Sequence, residues 1–171
     1  IAPCMFGIEG LAADEFRRMG FEDVSAQNGR VILTGGYDML ARANINSRFC
    51  ERILICVGMF KAESFTELFE SVKALEWERF IGITDAFPVN GSSVDSALHS
   101  IPDCQSIIKK AIVDRLSSKY NIKWFEETGA EIKVRFTIIK DEVTVMIDTS
   151  GDGLHKRGYR RNSNDAPLKE T

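Results

Sequence analysis

Two short apolar runs, Val24–Ala26 and Val31–Leu33, flank the dipeptide Asn28-Gly29. Both residues of that dipeptide tolerate the positive φ of a tight turn, so the pair predicts a hairpin and fixes the centre of the first domain. The segments around it then fall into order. Ala2–Phe6 is a short apolar run ending at Gly7 and reads as a strand, after which Ile8, Leu11, Ala12, Phe16 and Met19 recur at helical spacing up to Gly20. Beyond the hairpin and its closing Gly35-Gly36, Leu40, Ala43 and Asn44 share one face of a helix over Tyr37–Ser47. Arg52–Met59 contains the longest apolar run of the chain, Ile53–Val57, and predicts a strand buried on both faces. The order βαββαβ, expected over residues 1–60, is that of a ferredoxin-like unit.

A second α/β domain is expected over residues 61–149, giving a mixed α/β (α+β) chain. Phe65, Leu68, Phe69, Val72 and Leu75 form an apolar stripe at helical spacing, and Ser64 with Glu67 three residues on supplies a capping box. Trp77 and Phe80 read as a short turn, Thr84–Val89 as a strand, and Asn90–Ser100 as a loop of small residues. A long helix, Asp103–Tyr120, starts at Pro102-Asp103. Two alternating strands, Ile132–Ile138 and Val143–Ile147, are joined at Lys140-Asp141. Apolar patterning stops after Asp148, and residues 150–171 have the Gly/Ser/Asn content of a linker.

Length and composition narrow the function. A chain of 171 residues has room for two small domains. No run approaches the roughly 18 apolar residues that cross a bilayer, so no membrane partner is expected. The chain opens on Ile1 without a basic start, apolar stretch and cleavage site, which suggests a trimmed chain and not a secreted one. Cys4, Cys50, Cys56 and Cys104 stand far apart with no C-x-x-C pair, and there are 2 histidines. Zinc and iron–sulfur spacings are therefore missing, no metal is expected, and reduced thiols fit a cytoplasmic protein. Neither Gly35-Gly36 nor Gly151-Asp152-Gly153 makes a phosphate-cradling loop after a strand. The adjacent carboxylates Glu126-Glu127 and Asp141-Glu142 diverge on any backbone and read as surface.

Charge is unevenly spread. Residues 1–98 hold 9 basic and 14 acidic side chains, whereas residues 99–171 hold 13 and 11, so an anionic partner should prefer the C-terminal part. On the helix Asp103–Tyr120, Cys104, Ile107, Ile108, Ala111, Ile112 and Leu116 share the core face and leave Lys109 and Lys110 presentable to solvent. Gln105 and Ser100 lie beside the free N–H groups of its first turn, where a phosphate would be favoured. Arg115 and Lys119 fall under the apolar stripe and must snorkel or pair with a carboxylate. Lys133, Arg135 and Thr137 alternate outward with Thr144 and Met146 beside them, forming either a solvated sheet face or a basic one. His155, Lys156, Arg157, Tyr159, Arg160 and Arg161 combine cations with an aromatic ring, which suits unpaired RNA as well as it suits a solubilising linker.

Several stretches carry a family resemblance: PCMFGIEGLAADEF near the start, YDMLARANINSRFCERILICVGMFKA, VNGSSVDSALHSIPDCQSIIKKAIVDRL, and above all SGDGLHKRGYR from Ser150 followed by APLKET at the end. The sequence resembles THUMP-containing ribosomal-RNA guanine-N2 methyltransferases along essentially its whole length. The resemblance implies a ferredoxin-like domain followed by a THUMP domain that together bind RNA, 23S ribosomal RNA in the first instance. It also implies that residues 150–171 lead into a Rossmann-like domain using S-adenosylmethionine. No catalytic residue of that family falls within this chain. The expected RNA contacts are Lys109, Lys110, Lys156, Arg157, Tyr159 and Arg160, with Gln105, Arg135 and His155 beside them. The competing reading is a ligand-sensing or oligomerising ferredoxin-like module with no RNA affinity; an acylphosphatase-type activity would need an Arg-bearing loop where Gly7-Ile8-Glu9-Gly10 stands.

Overall fold

The computed structural model describes residues 1–156, and the chain divides into two compact units, Ile1–Ile55 together with the segment from Thr149 onward, and Cys56–Asp148. Among the described residues no helix is long and apolar enough to cross a membrane.

In the first unit the hairpin forms as its dipeptide requires. Strands β2 (Val24–Gln27) and β3 (Arg30–Leu33) pair antiparallel, and Gly29 turns between them at φ +70°. Strand β1 (Ala2–Pro3) pairs with the other side of β3, giving the order β1-β3-β2. Helices α1 (Glu9–Arg18) and α2 (Tyr37–Asn46) bury Ala12, Ala13, Phe16 and Ala43. Phe16 meets Phe21 edge-on, with ring centres 5.6 Å apart, so the helix C-terminus is pinned by aromatic contact.

The fourth position of a ferredoxin-like sheet is filled by Cys50–Leu54. The Ile1 ammonium donates to Leu54 O at 2.7 Å, Leu54 N–H donates back to Ile1 O at 2.8 Å, and Cys4 and Cys50 are antiparallel partners. The strand expected over Arg52–Met59 is found as β4 (Leu54–Lys61), in the four-stranded sheet of the second unit. The doubly buried reading holds only at its start. Ile53 and Leu54 are buried, whereas Cys56 and Met59 are exposed, as befits a strand at a sheet edge.

Residues 149–156 do not behave as the linker their composition suggested. Leu154 is buried in the core of the first unit, its N–H donating to Glu51 O at 2.9 Å. Thr149 Oγ1 donates to Ile53 O at 2.8 Å, and Arg52 donates to Gly151 O at 3.1 Å. Ser, Thr and Asn side chains bonding to backbone produce the same composition as a solvated linker, so composition alone does not distinguish the two.

The second unit is a four-stranded sheet in the order β4-β7-β6-β5 with helices α3 (Phe65–Lys73) and α4 (Ile101–Tyr120) packed together. The Ser64–Glu67 capping box is present: Ser64 Oγ accepts from Glu67 N–H at 3.3 Å and Glu67 Oε2 accepts from Ser64 N–H at 3.2 Å. Strands β6 (Val134–Ile139) and β7 (Glu142–Asp148) are antiparallel. Both turn residues between them have positive φ, 51° at Lys140 and 65° at Asp141, the geometry of a type I′ hairpin turn.

Two expectations fail in this unit. Strand β5 is Val89–Val94, parallel to β6, while residues 81–88 form a loop with a single bridge from Ala86 to Glu131. The segment read as a small-residue loop pairs with β6 along its whole length, and glycine permits the close approach: a Cβ added to Gly91 would sit 2.2 Å from Phe136 O. The face shared by Arg135, Thr137, Thr144 and Met146 is also not open to solvent as expected, since Thr144 and Met146 are buried.

Candidate nucleic-acid interface

Helix α4 carries the side chains that the charge pattern singled out, and its buried face of Cys104, Ile108, Ala111, Ile112 and Leu116 fixes their direction. Gln105 and Lys109 are one turn apart and share a side of the helix. Gln105 Nε2 lies 3.4 Å from Asn90 Oδ1 on β5. Lys109 Nζ donates to Phe87 O at 3.0 Å and to Glu127 Oε1 at 2.6 Å, and it sits 3.5 Å from the centre of the Phe87 ring. Phe87 in turn meets Phe125 edge-on at 5.9 Å. Lys109 is therefore part of the framework that holds the loop of residues 121–133 on α4. Lys110 is exposed, 5.9 Å from the Phe69 ring centre, and no carboxylate among the described residues pairs with it.

The loop following α4 is stapled along its length. Asn121 ends the helix in the left-handed conformation. Gly129 N–H donates to Thr84 O at 2.7 Å, Ala86 N–H to Ala130 O at 2.9 Å, and Ile132 N–H to Ala86 O at 2.7 Å. A side chain at position 129 would press on Thr84, with a Cβ 2.9 Å from Thr84 O. From this fixed loop Phe125 turns inward and Trp124 points out, its surface 80% exposed, with the exposed Lys123 before it. Sequence reasoning missed Trp124. The available signal was a tryptophan between Lys123 and the acidic pair in a segment without apolar periodicity, a setting in which burial is not expected.

The other candidates are differently placed. Arg135 donates through Nε to Asp148 Oδ2 at 2.8 Å, and the Asp148 side chain has 0% exposure. That guanidinium therefore neutralises a buried carboxylate, and Lys133 is paired with Glu131 at 3.4 Å. The expected basic sheet face is largely compensated. Arg115 grips Glu78 with both arms, at 3.0 and 2.6 Å, and Lys119 approaches the same carboxylate at 3.6 Å. The Arg115 guanidinium holds the Glu78 carboxyl down to about 2. Pairing with a carboxylate is thus how this helix accommodates cations under its apolar stripe.

His155 and Lys156 belong to the first unit. The His155 ring lies against Gly153, and its Nδ1 is buried without a hydrogen-bond partner, while Lys156 is exposed. Arg157, Tyr159 and Arg160 lie outside the described residues. Among the described residues no group of three or more His, Cys, Asp or Glu side chains is arranged to hold a metal ion.

Comparison with known proteins accounts for both units. The model of the RlmL ferredoxin-like domain matches residues 1–54, and that of the THUMP domain matches residues 62–148. The chain is 49% identical to YpsC of Bacillus subtilis (strain 168), a candidate RNA methyltransferase by name, over 100% of this chain and 45% of that protein. It is 30% identical to ribosomal RNA large subunit methyltransferase K/L of Syntrophotalea carbinolica, over 96% of this chain and 23% of that one. Among solved structures, a predicted N6-adenine-specific DNA methylase from Listeria monocytogenes superposes with a TM-score of 0.93 at 49% identity, covering 98% of this chain and 44% of its own. SMU.472, a candidate methyltransferase complexed with SAH, superposes at 0.89 with 41% identity, over 94% and 44%. The chain spans less than half the length of these relatives. With residues 62–148 matched by the THUMP model and residues 1–54 by the RlmL ferredoxin-like model, the chain belongs to the THUMP-domain family.

Proposed function

We propose that this chain is the RNA-binding part of an S-adenosylmethionine-dependent ribosomal-RNA methyltransferase, presenting a structured region of 23S RNA so that a guanine N2 reaches a methyl-transfer site elsewhere in the whole protein. The observation that carries this reading is the outer side of α4. Gln105 and Lys109 lie on the side of the helix to which the loop with its exposed aromatic is tied, and the exposed Lys110 follows on the same helix, in a domain whose relatives include a ribosomal-RNA methyltransferase. Cations with a nearby π face are what a protein uses to hold a phosphate backbone and an unpaired base.

The described residues do not themselves fit S-adenosylmethionine. Among the described residues, the parallel strands β5 and β6 are followed by no site for it: β5 runs into α4 through Asp95–Ser100, a segment without a glycine-rich turn. The cofactor, and the methyl group it supplies, are proposed for the remainder of the whole protein. The part played by these residues is capture and orientation. Lys109 and Lys110 neutralise phosphates, Gln105 and Asn90 offer amide groups to sugar or base edges, and Lys156, Arg157, Tyr159, Arg160, His155 and Arg135 are proposed as further contacts. The setting proposed is cytoplasmic.

The test is binding of a ribosomal-RNA hairpin followed by fluorescence anisotropy across a range of salt. The expected result is an affinity that falls with log salt at a slope of about −0.7 to −0.9 per phosphate contacted, and that drops on the double change Lys110→Glu, Lys156→Glu. An affinity independent of both salt and these reversals would sink the reading, and no binding at all would favour a module that does not bind RNA.

A further inference from the structure

We infer that Trp124 is a stacking platform for one unpaired nucleobase, so that the THUMP unit captures looped or single-stranded RNA and not only a paired stem. The inference rests on the RNA-binding reading above and adds to it the residue and the kind of RNA. Trp124 is 80% exposed, an unusual position for the largest apolar side chain, while Trp77 in the same unit is at 0% with its Nε1–H donated to Val72 O at 2.8 Å. Its exposure is not the by-product of a loose loop. Phe125 next to it is anchored on Phe87, the Lys109–Glu127 pair ties the loop to α4, and Gly129, Ala130 and Ile132 are bonded to Thr84 and Ala86. The backbone beneath the indole is therefore fixed before any ligand arrives, which lowers the ordering cost of stacking.

The surroundings favour a base over a protein surface. The sequence neighbours of Trp124 that are apolar, Ile122 and Phe125, are half-buried and buried, and the exposed ones, Lys123 and Glu126, are charged. A protein-docking site surrounds its anchor with several exposed apolar side chains, whereas an aromatic next to a lysine in the chain, with Ile83 half-exposed on the adjoining segment, suits one planar base and its phosphate. The acidic residues nearby do not forbid this. Glu127 is paired with Lys109 and Glu131 with Lys133, Asp85 accepts the Gly82 N–H, and the exposed Lys123 stands beside Trp124 in the chain. Stacking on the indole, with Lys123 reaching a phosphate, is the contact such a patch permits.

The chain has two tryptophans, and only one is accessible, so its own fluorescence reports the contact. A hairpin RNA with an unpaired loop, the same stem closed into full duplex, and an unstructured oligouridine are titrated into the wild-type chain and into W124A and W124F. The looped and single-stranded RNAs are expected to quench the exposed tryptophan, and W124A to lose roughly 5- to 150-fold in affinity for them while duplex binding is unchanged. W124F should retain most of the affinity and show no quenching. If the wild type binds looped RNA without quenching and W124A binds it equally well, stacking is overturned while RNA binding stands. If no RNA binds the wild type, the functional reading itself falls, and the stacking role with it. A W124A chain with unaltered RNA affinity but lost self-association would assign the indole to a protein contact and also overturn the proposal.

Discussion

Lys109 Nζ lies 2.6 Å from Glu127 Oε1, an ion pair between α4 and the loop that carries Trp124. Both side chains are about one-third exposed, 31% and 38%, so the pair is a surface interaction worth about 0.2–1 kcal/mol and open to exchange. A phosphate approaching Lys109 competes with this carboxylate. Glu127→Gln removes the rival charge and should raise RNA affinity about 2- to 5-fold at low salt, with the gain shrinking as salt rises, in the same anisotropy assay. A lysine that serves only to hold the loop predicts no gain, or a loss.

A different pair fixes the first unit to the segment that follows the THUMP domain. Ser150 Oγ accepts the Ile53 N–H at 2.7 Å and donates to Asn44 Oδ1 at 2.9 Å, while Asn44 Nδ2 donates to Thr149 Oγ1 at 3.0 Å. Each such bond contributes about 0.5–1.5 kcal/mol, so Asn44→Ala should destabilise the first unit by about 1–3 kcal/mol. Limited proteolysis distinguishes a local from a general effect: cleavage within residues 149–156 should accelerate before the THUMP unit is attacked. A segment held only by Leu154 would show no such change.

The element order was largely legible in the sequence, and its errors share one cause. Hairpin, capping box and amphipathic helices are local features, written within a few residues as Asn28-Gly29, Ser64 with Glu67, and the stripe on α4. Strand β5 is not local. Val-Asn-Gly-Ser-Ser-Val is a strand through its pairing with β6, where Phe136 leaves room only for glycine at position 91, and no window around residue 91 encodes that partner. The same holds for charges. The helical period separates Lys109 and Lys110 from the buried stripe, but that Lys109 meets Glu127, 18 residues away, and that Arg135 meets Asp148 depend on packing. Trp124 is legible only as a residue that should not be buried, and its exposure becomes informative once the loop is seen to be rigid.

The close approach at Gly91 makes a sharp prediction. Strands β5 and β6 are parallel with Gly91 opposite Phe136, and a Cβ there would lie 2.2 Å from the carbonyl oxygen and 2.4 Å from the ring. Because the nearest obstacle is backbone, it cannot turn aside as a flexible side chain would. Gly91→Ala should therefore cost at least about 1–3 kcal/mol, seen as an earlier denaturation midpoint of the second unit, whereas Ser92→Ala on the exposed side of the same strand should be near neutral. Equal midpoints for the two variants would mean that β5 does not pair with β6 in this register.

Glu78 links the second unit's stability to pH. Its carboxyl is gripped by Arg115 and approached by Lys119, its side chain is 13% exposed, and it titrates at about 2 in place of the ordinary 4.5. The unfolded chain protonates this group near 4.5 and the folded chain only near 2, so between those values the unfolded state binds more protons. The contribution is therefore complete above pH 4.5 and is lost progressively as pH falls towards 2. Glu78→Gln should lower stability at neutral pH by about 1–3 kcal/mol, since Arg115 would be left half-buried without its anion. The difference between wild type and variant, measured by urea denaturation at a series of pH values, should stay constant down to pH 4.5 and then narrow. Carboxylates elsewhere cancel in that difference, because both proteins carry them. A difference that stays flat down to pH 2, or widens as the solution is acidified, would show that the Arg115 pairing does not hold the carboxylate in its charged form.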